Sequence, residues 1–457
     1  MKKVIAIILA MFTMLAAAGC SSGAGGSDAS GGSGSGGKNN KEIKEPITLT
    51  FASWAPQEFA QHLANKFEQE YDYITVELVQ LEQNTWEQGL FNLASTGDLP
   101  DAFLTFDLAS ATVNGWTKDI TEIYNKDEYT KKIPEGIKAA GVYNGKRYGM
   151  AVQQFPQLVF INKSLLEQAN VPMPSYEWTM DDLTTLVKQM TIPNQNIFGI
   201  GNAGQFSDLF PALYSTDRYQ WGFSAADQTF DFTEWANGYK YTQGLLTSRY
   251  AMDVLDAAGK ESAYGDPGIW GPETGKLAVQ MDWYWTNKYM KSDAFTDKGM
   301  EWMIYPLPKG SSGRTQTVLD FGAVSESCKY PEEAYNLLKY MTFGAEGWKA
   351  RKEWYSFNHA RPTELPLATD DEVWGIVKAF TPGEDYDALY ASLDNAVGDV
   401  KKWIPGYGAW WAWTWEQEYW GKLERNEIKP EDVAPQMAKK MKTFYDEALA
   451  QIDARGQ

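Results

Sequence analysis

Aromatic side chains are the residues of this sequence best suited to chemistry with a ligand. The chain of 457 residues contains 19 Trp, 25 Tyr and 21 Phe. Trp and Tyr rings offer flat apolar faces with a polar group at the edge, and sugar rings present flat C–H faces rimmed by hydroxyls. Tryptophans at the ends of predicted strands therefore predict stacking platforms for sugars. Others are expected to pack in the core, namely Trp302, Trp348, Trp374 and Trp403.

Carboxylate pairs are a second candidate chemistry, because a glycosidase needs two of them at a fixed separation. With 60 Asp and Glu residues, a pair such as Glu416 and Glu418, or Asp282 beside Trp283, arises without any catalytic role. The sequence has no G-x-S-x-G, H-E-x-x-H, P-loop or dinucleotide-binding glycine motif. The order of predicted elements after residue 200 also lacks the repeats of a barrel hydrolase. We expect no enzyme activity, and a carbohydrate-active enzyme stays open as an alternative.

Charge and residue counts argue against several other classes. The formal net charge of −19 disfavours a nucleic-acid partner. His62 and His359 are the only histidines, so a multi-histidine metal centre is not expected, and we predict neither a metal nor a cofactor. Cys20 and Cys328 are the only cysteines. Because Cys20 ends an export signal, we expect no internal disulfide.

The first residues are typical of a lipoprotein export signal. Lys2 and Lys3 precede an apolar run at 4–15, and small residues at 16–19 lead to Cys20, which would carry lipid after cleavage. An ordinary signal peptide or a short membrane anchor are the alternatives, although the run is short for a membrane span. A Gly/Ser-rich stretch to residue 37 predicts a flexible tether. We expect a signal peptide at 1–19, a lipid-anchored tether at 20–45 and a soluble body outside the cytoplasmic membrane.

Alternating strands and helices must position the aromatic residues. Apolar periodicity predicts strands at 47–53, 74–81 and 102–106, with helices at 59–71 and 85–96 between them. This order is typical of a parallel sheet covered by helices. About 410 residues follow the tether, which is enough for two or three domains.

Seven segments in chain order then carry recognisable motifs. They are ASTGDLPDAF at 94–103, NGKRYGMA at 144–151, LVFINKSLL at 158–166, PMPSYEWTMDDL at 172–183, GKLAVQMDWYW at 275–285, YPLPKG at 305–310 and YPEEAYNLLKYMT at 330–342. In this order they resemble the motifs of extracellular solute-binding proteins of the family that includes the maltodextrin-binding proteins. The second segment departs from the family's N-G-K-x-Y-G-x-P at Ala151, where proline is usual. The resemblance covers nearly the whole body.

The resemblance implies an α/β architecture of two lobes, as in periplasmic binding proteins, with a ligand cleft between them. Three segments would cross between the lobes, near 150–156, 314–320 and 359–362, where polar residues or prolines interrupt apolar stretches. The N-terminal lobe would then comprise 46–152 and 317–357. The C-terminal lobe would comprise 157–313 and 363–457.

The resemblance also selects candidate ligand contacts at the cleft. Trp54 and Asp107 follow the first and third strands, Gln153 and Asp320 lie on crossings, and Trp285 and Trp411 match stacking tryptophans. Helical spacing in the segment GAWWAWTW at 408–415 leaves open that some of its tryptophans are core residues. The complete candidate set is Trp54, Asp107, Gln153, Gln205, Phe206, Phe210, Trp283, Trp285, Asp320, Trp410 and Trp411.

The family implies a substrate-binding protein that delivers its ligand to the permease subunits of an ATP-binding-cassette (ABC) importer. Aromatic residues abound near the predicted cleft and basic residues are sparse there, which favours a neutral oligosaccharide over an anion or a charged peptide. We expect a monomer that touches the membrane only through the lipid on Cys20. A surface adhesin lipoprotein is the alternative from a different class, because it would need no closing cleft.

Overall fold

The computed structural model describes residues 44–219 and 222–455. The predicted signal peptide, Cys20 and most of the tether lie outside the described residues. Within the described part, no helix is both long and apolar enough to cross a membrane.

Strands and helices alternate along most of the chain. The strands are β1 (Ile47–Ala52), β2 (Ile74–Val79), β3 (Ala102–Thr105), β4 (Val142–Tyr143), β5 (Lys146–Arg147), β6 (Met150–Asn162), β7 (Phe198–Gly201), β8 (Phe223–Ser224), β9 (Thr229–Phe230), β10 (Leu277–Trp283), β11 (Trp302–Tyr305), β12 (Thr315–Val324) and β13 (Ala396–Gly398). The helices are α1 (Gln57–Glu70), α2 (Trp86–Thr96), α3 (Leu108–Val113), α4 (Thr121–Lys126), α5 (Glu135–Lys138), α6 (Lys163–Gln168), α7 (Met180–Gln189), α8 (Phe206–Tyr214), α9 (Thr233–Thr247), α10 (Ala257–Tyr264), α11 (Asn287–Met290), α12 (Asp293–Thr296), α13 (Pro331–Met341), α14 (Ala345–Asn358), α15 (Asp371–Phe380), α16 (Tyr386–Leu393), α17 (Tyr407–Trp410), α18 (Gly421–Glu424) and α19 (Pro430–Arg455). A π-helix, Trp411–Trp420, joins α17 to α18.

The first five predicted elements are confirmed. β1 pairs in parallel with both β2 and β3, and α1 and α2 are the intervening helices. Leu63 and Phe67 of α1 are buried together with Leu90 of α2, as their helical spacing predicts. The polar loops after β1 and β3 therefore meet at one edge of this sheet, which is where ligands bind in open α/β folds.

The long strand β6 connects two halves of the main sheet. Its first part, Met150–Pro156, pairs antiparallel with β12 beside β3. Its second part, from residue 157 onward, pairs antiparallel with β10 and β11, and β10 pairs in parallel with β7. The strand order is β2-β1-β3-β12-β6-β10-β7. Residues near 156 therefore lie where one half of the sheet passes into the other.

The three predicted crossing regions have different structures. The first is the initial part of β6, and the second is the beginning of β12. The third follows α14, whose C-terminal cap His359 has φ = 52°, and nearby Leu365 forms a bridge with Gln154 of β6. This mixed α/β architecture, with strands that cross between two halves of the sheet, is the one that the sequence resemblance implies.

The lobe boundaries proposed from the sequence stay a prediction. Residues after 363, which that prediction assigns to the C-terminal lobe, contact elements of both halves. Asp370, at the N-terminus of α15, pairs with Lys132 at 2.5 Å. Tyr386 of α16 instead hydrogen-bonds Tyr284 in the loop after β10, at 2.9 Å. The last helix, α19, packs on α9 and also on α3.

Tryptophans contribute strongly to the core. The four expected to be packing residues are all buried: Trp302, Trp348, Trp374 and Trp403.

Cys328 is buried and carries no disulfide.

Candidate functional site

One face of β6 carries the polar and aromatic groups closest to the middle of the sheet. Strand alternation places Gln153, Phe155 and Gln157 on the same face. Gln153 and Phe155 are half-buried, whereas Gln154, on the opposite face, is buried and donates from Nε2 to Pro366 O at 2.5 Å. The buried Oε1 of Gln153 has no hydrogen-bond partner among the described residues. Gln153 therefore keeps an unused acceptor on this face, in an oxygen that is itself buried.

The end of β10 supplies a pair of tryptophans beside that face. Trp283 lies opposite Gln157 in the strand register, and the turn Tyr284–Thr286 follows it. The rings of Trp283 and Trp285 are stacked, with centroids 5.6 Å apart and an interplanar angle of 28°. Trp285 also contacts Phe155, at 5.3 Å. Trp283 is 8% exposed and Trp285 38% exposed, so Trp285 offers the larger free face.

A second aromatic platform lies at the edge formed by β1 and β3. The Trp54 ring stacks on Phe106 with centroids 4.2 Å apart and an angle of 10°. The edge of Trp86 supports Trp54 at 5.2 Å, and Trp86 is itself fixed by a 2.8 Å hydrogen bond to Leu104 O. Trp54 stays half-buried, so its position is rigid and part of its surface is accessible.

A lysine–carboxylate pair links this platform to the crossing strands. Lys402 contacts the Asp320 carboxylate on β12 and lies 5.3 Å from the Phe106 ring centroid. Asp320 is the register partner of Gln153, next to an irregularity in the β6–β12 pairing. Burial raises the pKa of Asp320, and the Lys402 charge opposes that shift. Asp320 is only 5% exposed. Its role is therefore to position the Lys402 side chain through their ion pair.

Two further carboxylates lie beneath the loop after β3. Asp107 caps α3 and accepts hydrogen bonds from Ser110 N at 2.9 Å and Ser110 Oγ at 2.6 Å. Glu87 accepts from Phe106 N at 2.7 Å and so fixes the loop that carries the Phe106 ring. Burial raises the pKa of both carboxyls. Asp107 remains half-buried and can still accept hydrogen bonds from a ligand.

The segment around α8 contributes polar groups. Gln205 receives a 3.4 Å hydrogen bond from Gln157 Nε2, which connects it to the β6 face. Asp208 pairs with Lys401 at 2.5 Å. Phe210 packs against Tyr214 and Tyr241.

Phe206 requires a correction, because it has no exposed surface and packs edge-to-face on Tyr241 at 4.7 Å. It is a core residue in this structure, so we remove it from the candidate site.

Trp410 requires the same correction. It is fully buried and stacks on Phe232 at 5.4 Å. Trp411, the first residue of the π-helix, is half-buried and donates from Nε1 to Glu416 Oε1 at 3.0 Å, five residues ahead. Lys401 Nζ lies 5.8 Å from its ring. Of these two neighbours only Trp411 can present a face to a ligand.

Asp399 is a buried carboxyl group close enough to Lys401 and Lys402 to interact with their charges. Its backbone N–H bonds Thr317 O at 3.0 Å, and its Oδ1 has no hydrogen-bond partner among the described residues. Burial raises its pKa to about 6, against the opposing charges of Lys401 and Lys402. Sequence reasoning did not identify this group.

Contacts connect most candidate residues in two groups. Trp54, Phe106, Lys402, Asp320 and Gln153 form one continuous set. The second set, linked through β6 and β10, consists of Phe155, Gln157, Gln205, Trp283 and Trp285.

Five of the residues in or beside these groups were missed in the sequence: Phe106, Phe155, Gln157, Lys401 and Lys402. Phe155 could have been found from its period-two spacing to Gln153, and Phe106 from its place directly after β3. Lys401 and Lys402 lie far along the chain, and no local signal marked them. The expectation that basic residues are sparse near the site is corrected by these lysines, although each is paired with an aspartate.

Comparison with known proteins shows the family to which this chain belongs. Residues 52–343 match the model of the bacterial extracellular solute-binding protein family, and this chain belongs to that family. The family consists of extracytoplasmic solute-binding proteins of ABC transporters rather than enzymes.

Individual relatives are distant. A putative binding protein of Brucella abortus (strain 2308) is 21% identical over 249 residues, which are 50% of this chain and 54% of the relative. The chain thus spans about half the length of the curated relatives it matches.

Solved structures extend the similarity over most of the chain. An ABC substrate-binding protein from Listeria monocytogenes, in complex with cycloalternan, has a TM-score of 0.64 and 19% identity, covering 87% of this chain and 99% of the other. A periplasmic oligogalacturonide binding protein from Yersinia enterocolitica has a TM-score of 0.63 and 14% identity, covering 88% and 100%. The solved structures that share this fold thus include one in complex with cycloalternan and one described as an oligogalacturonide binding protein.

Proposed function

We propose that this protein captures a neutral oligosaccharide between its two lobes and delivers it to the permease subunits of an ABC importer. The main support is the arrangement of half-exposed aromatic faces on both sides of the crossing strands, with Trp54 on one side and Trp285 on the other. Between them, Gln153 offers an unpaired acceptor to a sugar hydroxyl.

The charges near these platforms favour a neutral ligand. Lys401 and Lys402 are each paired with an aspartate, so neither offers an unpaired cation for the carboxylates of an acidic sugar. Asp107 and Glu87 lie close by, and they would repel such a ligand. Stacking and hydroxyl hydrogen bonds then supply most of the affinity.

A calorimetric screen tests this proposal. The purified body, residues 46–457, is titrated with neutral malto-, xylo- and manno-oligosaccharides and, as the charged comparison, oligogalacturonides. We expect saturable binding of a neutral series and none of the galacturonides. Tight binding of galacturonides alone would overturn the neutral assignment, and shortening of a bound sugar, followed by chromatography, would favour the enzyme alternative.

We also propose that a lipid on Cys20 anchors the protein to the outer face of the cytoplasmic membrane. The support is the order of charged residues, apolar run and small residues before Cys20. Cys20→Ala should move the protein from the membrane fraction to the soluble fraction. Retention of the variant in the membrane would contradict lipidation at this residue.

A further inference from the structure

Trp413 is an aromatic residue whose position the proposed cleft does not explain. Its side chain is 69% exposed, the most of any tryptophan among the described residues. It lies on the π-helix, in which Thr414, Trp415 and Tyr419 are the buried residues. π-Helical turns are uncommon and frequently occur at functional sites.

The residues next to Trp413 form a groove of about 410 Å³. The groove lies between α3, the start of α17 and α19. Its apolar floor includes Ile404, Tyr407 and Phe444, and its polar rim includes Asp107, Glu447 and Gln451. An apolar floor with convergent polar groups is the usual composition of a small-ligand site.

The lining suits a sugar ring. Trp413 can cover one apolar face of the ring, and the carboxylates of Asp107 and Glu447 can accept hydrogen bonds from hydroxyls. Two carboxylates at one rim also disfavour an anionic ligand. The volume lies within the range of ordinary ligand pockets and is sufficient for a terminal ring.

The groove borders the candidate ligand contacts. Asp107 belongs to both, and a Cβ placed on Gly408 would lie 3.5 Å from Asp107 Oδ2, which brings the start of α17 against the loop after β3. Tyr407, in the floor, stacks on Trp411 with centroids 6.3 Å apart and an angle of 20°. Asp107 and Tyr407 therefore place the groove next to candidate contacts of the cleft.

We propose that this groove is an extension subsite, in which Trp413 stacks on a sugar ring beyond those held at the crossing strands. This inference rests on the proposed function and names a consequence of it: the protein prefers oligosaccharides long enough to reach Trp413. The affinity of the wild-type protein rises when the chain reaches that length and then stays constant.

Calorimetry with homologous sugars tests the subsite. Maltose, maltotriose, maltotetraose and maltohexaose, with the corresponding xylo- and manno-oligosaccharides, are titrated into the wild type and Trp413→Ala. We expect the variant to bind short members as the wild type does and to lose up to about thirtyfold in affinity for long members. Trp420→Ala is the matched control: it lies on the same π-helix, is 43% exposed and does not line the groove, and it should bind as the wild type does.

Each outcome is decisive. An unchanged dependence on chain length in Trp413→Ala contradicts the subsite while leaving the proposed function intact, and so does an equal loss for all lengths. Equal losses in Trp413→Ala and Trp420→Ala would assign the effect to the helix and also contradict the subsite. Wild-type protein that binds none of the sugars contradicts the proposed function, and the subsite falls with it.

Discussion

The strand-end platform (Gln153, Phe155, Trp283 and Trp285) and the C-terminal segment (residues 399–415) are both rich in candidate groups, yet the structure treats them differently. In the platform, Trp285 is partly exposed and Gln153 has an unpaired oxygen. In the C-terminal segment, Trp410 is buried and both lysines are paired with aspartates. The contrast separates the platform groups, which are placed to meet a ligand, from Trp410 and the two lysines, which pack or pair within the protein.

The largest expected effect is on stability, at Trp410 in the C-terminal segment. Trp410→Ala removes a fully buried ring and leaves a cavity, and we expect a loss of about 3–5 kcal/mol in the free energy of unfolding. Urea unfolding measures it, with the exposed Trp413→Ala as the control at less than about 0.5 kcal/mol. Equal effects of the two substitutions would show that burial does not distinguish these positions.

Asp399 should make the stability of this segment depend on pH. Its pKa is raised to about 6 in the folded protein, above the ordinary value near 3.9 in the unfolded chain. The folded state therefore binds the proton more tightly, and this contribution to stability decreases as the pH rises from about 4 to about 6.

Asp399→Asn should remove that slope and stabilise the protein above pH 6. At about 1.4 kcal/mol per pKa unit, the gain is on the order of 3 kcal/mol. Urea unfolding of both proteins across this pH range provides the measurement. Parallel profiles for the wild type and the variant would show that Asp399 is not the group responsible.

Trp285 tests whether the strand-end platform binds the ligand. Trp285→Ala removes a partly exposed stacking face, so we expect about 2 kcal/mol of lost binding free energy, roughly thirtyfold in affinity, with little change in the unfolding midpoint. Trp348→Ala, in the core, should do the reverse. Titration calorimetry and urea unfolding of both variants provide the measurements; full affinity together with lost stability in Trp285→Ala would make Trp285 a packing residue.

The smallest effect is expected at Gln153. Gln153→Ala removes one hydrogen bond to the ligand, worth about 1 kcal/mol, and should leave stability nearly unchanged because its Oε1 has no protein partner. Gln154→Ala is the matched control on the other face of β6, where it should lower stability by losing the bond to Pro366 O. If Gln154→Ala weakened binding more than Gln153→Ala, the assignment of the β6 faces would be reversed.

The sequence predicted those parts of the fold that depend on local periodicity. β1 to β3, with α1 and α2, follow from apolar spacing and lie at their predicted positions to within a few residues. The positions of Trp54 and Trp285 at strand ends followed from the same pattern and from family motifs. Local signals suffice where the chain alternates regularly between strand and helix.

The rest depended on contacts between distant segments. The burial of Trp410 depends on Phe232, which lies far away in the sequence. The π-helix that begins at Trp411 then alters the spacing of the later tryptophans. The placement of Lys402 beside Asp320 and Phe106 likewise joins three separate segments. Helical spacing in a dense run of tryptophans cannot determine which ring faces the core.

Capture of the sugar between the two lobes is tested most directly by small-angle X-ray scattering of the body with and without a saturating oligosaccharide. Contacts to both Trp54 and Trp285 would stabilise a closed arrangement of the lobes. We therefore expect the radius of gyration to decrease when a sugar shown by calorimetry to bind is added. An unchanged radius with the same sugar bound would contradict closure of the two lobes around the ligand.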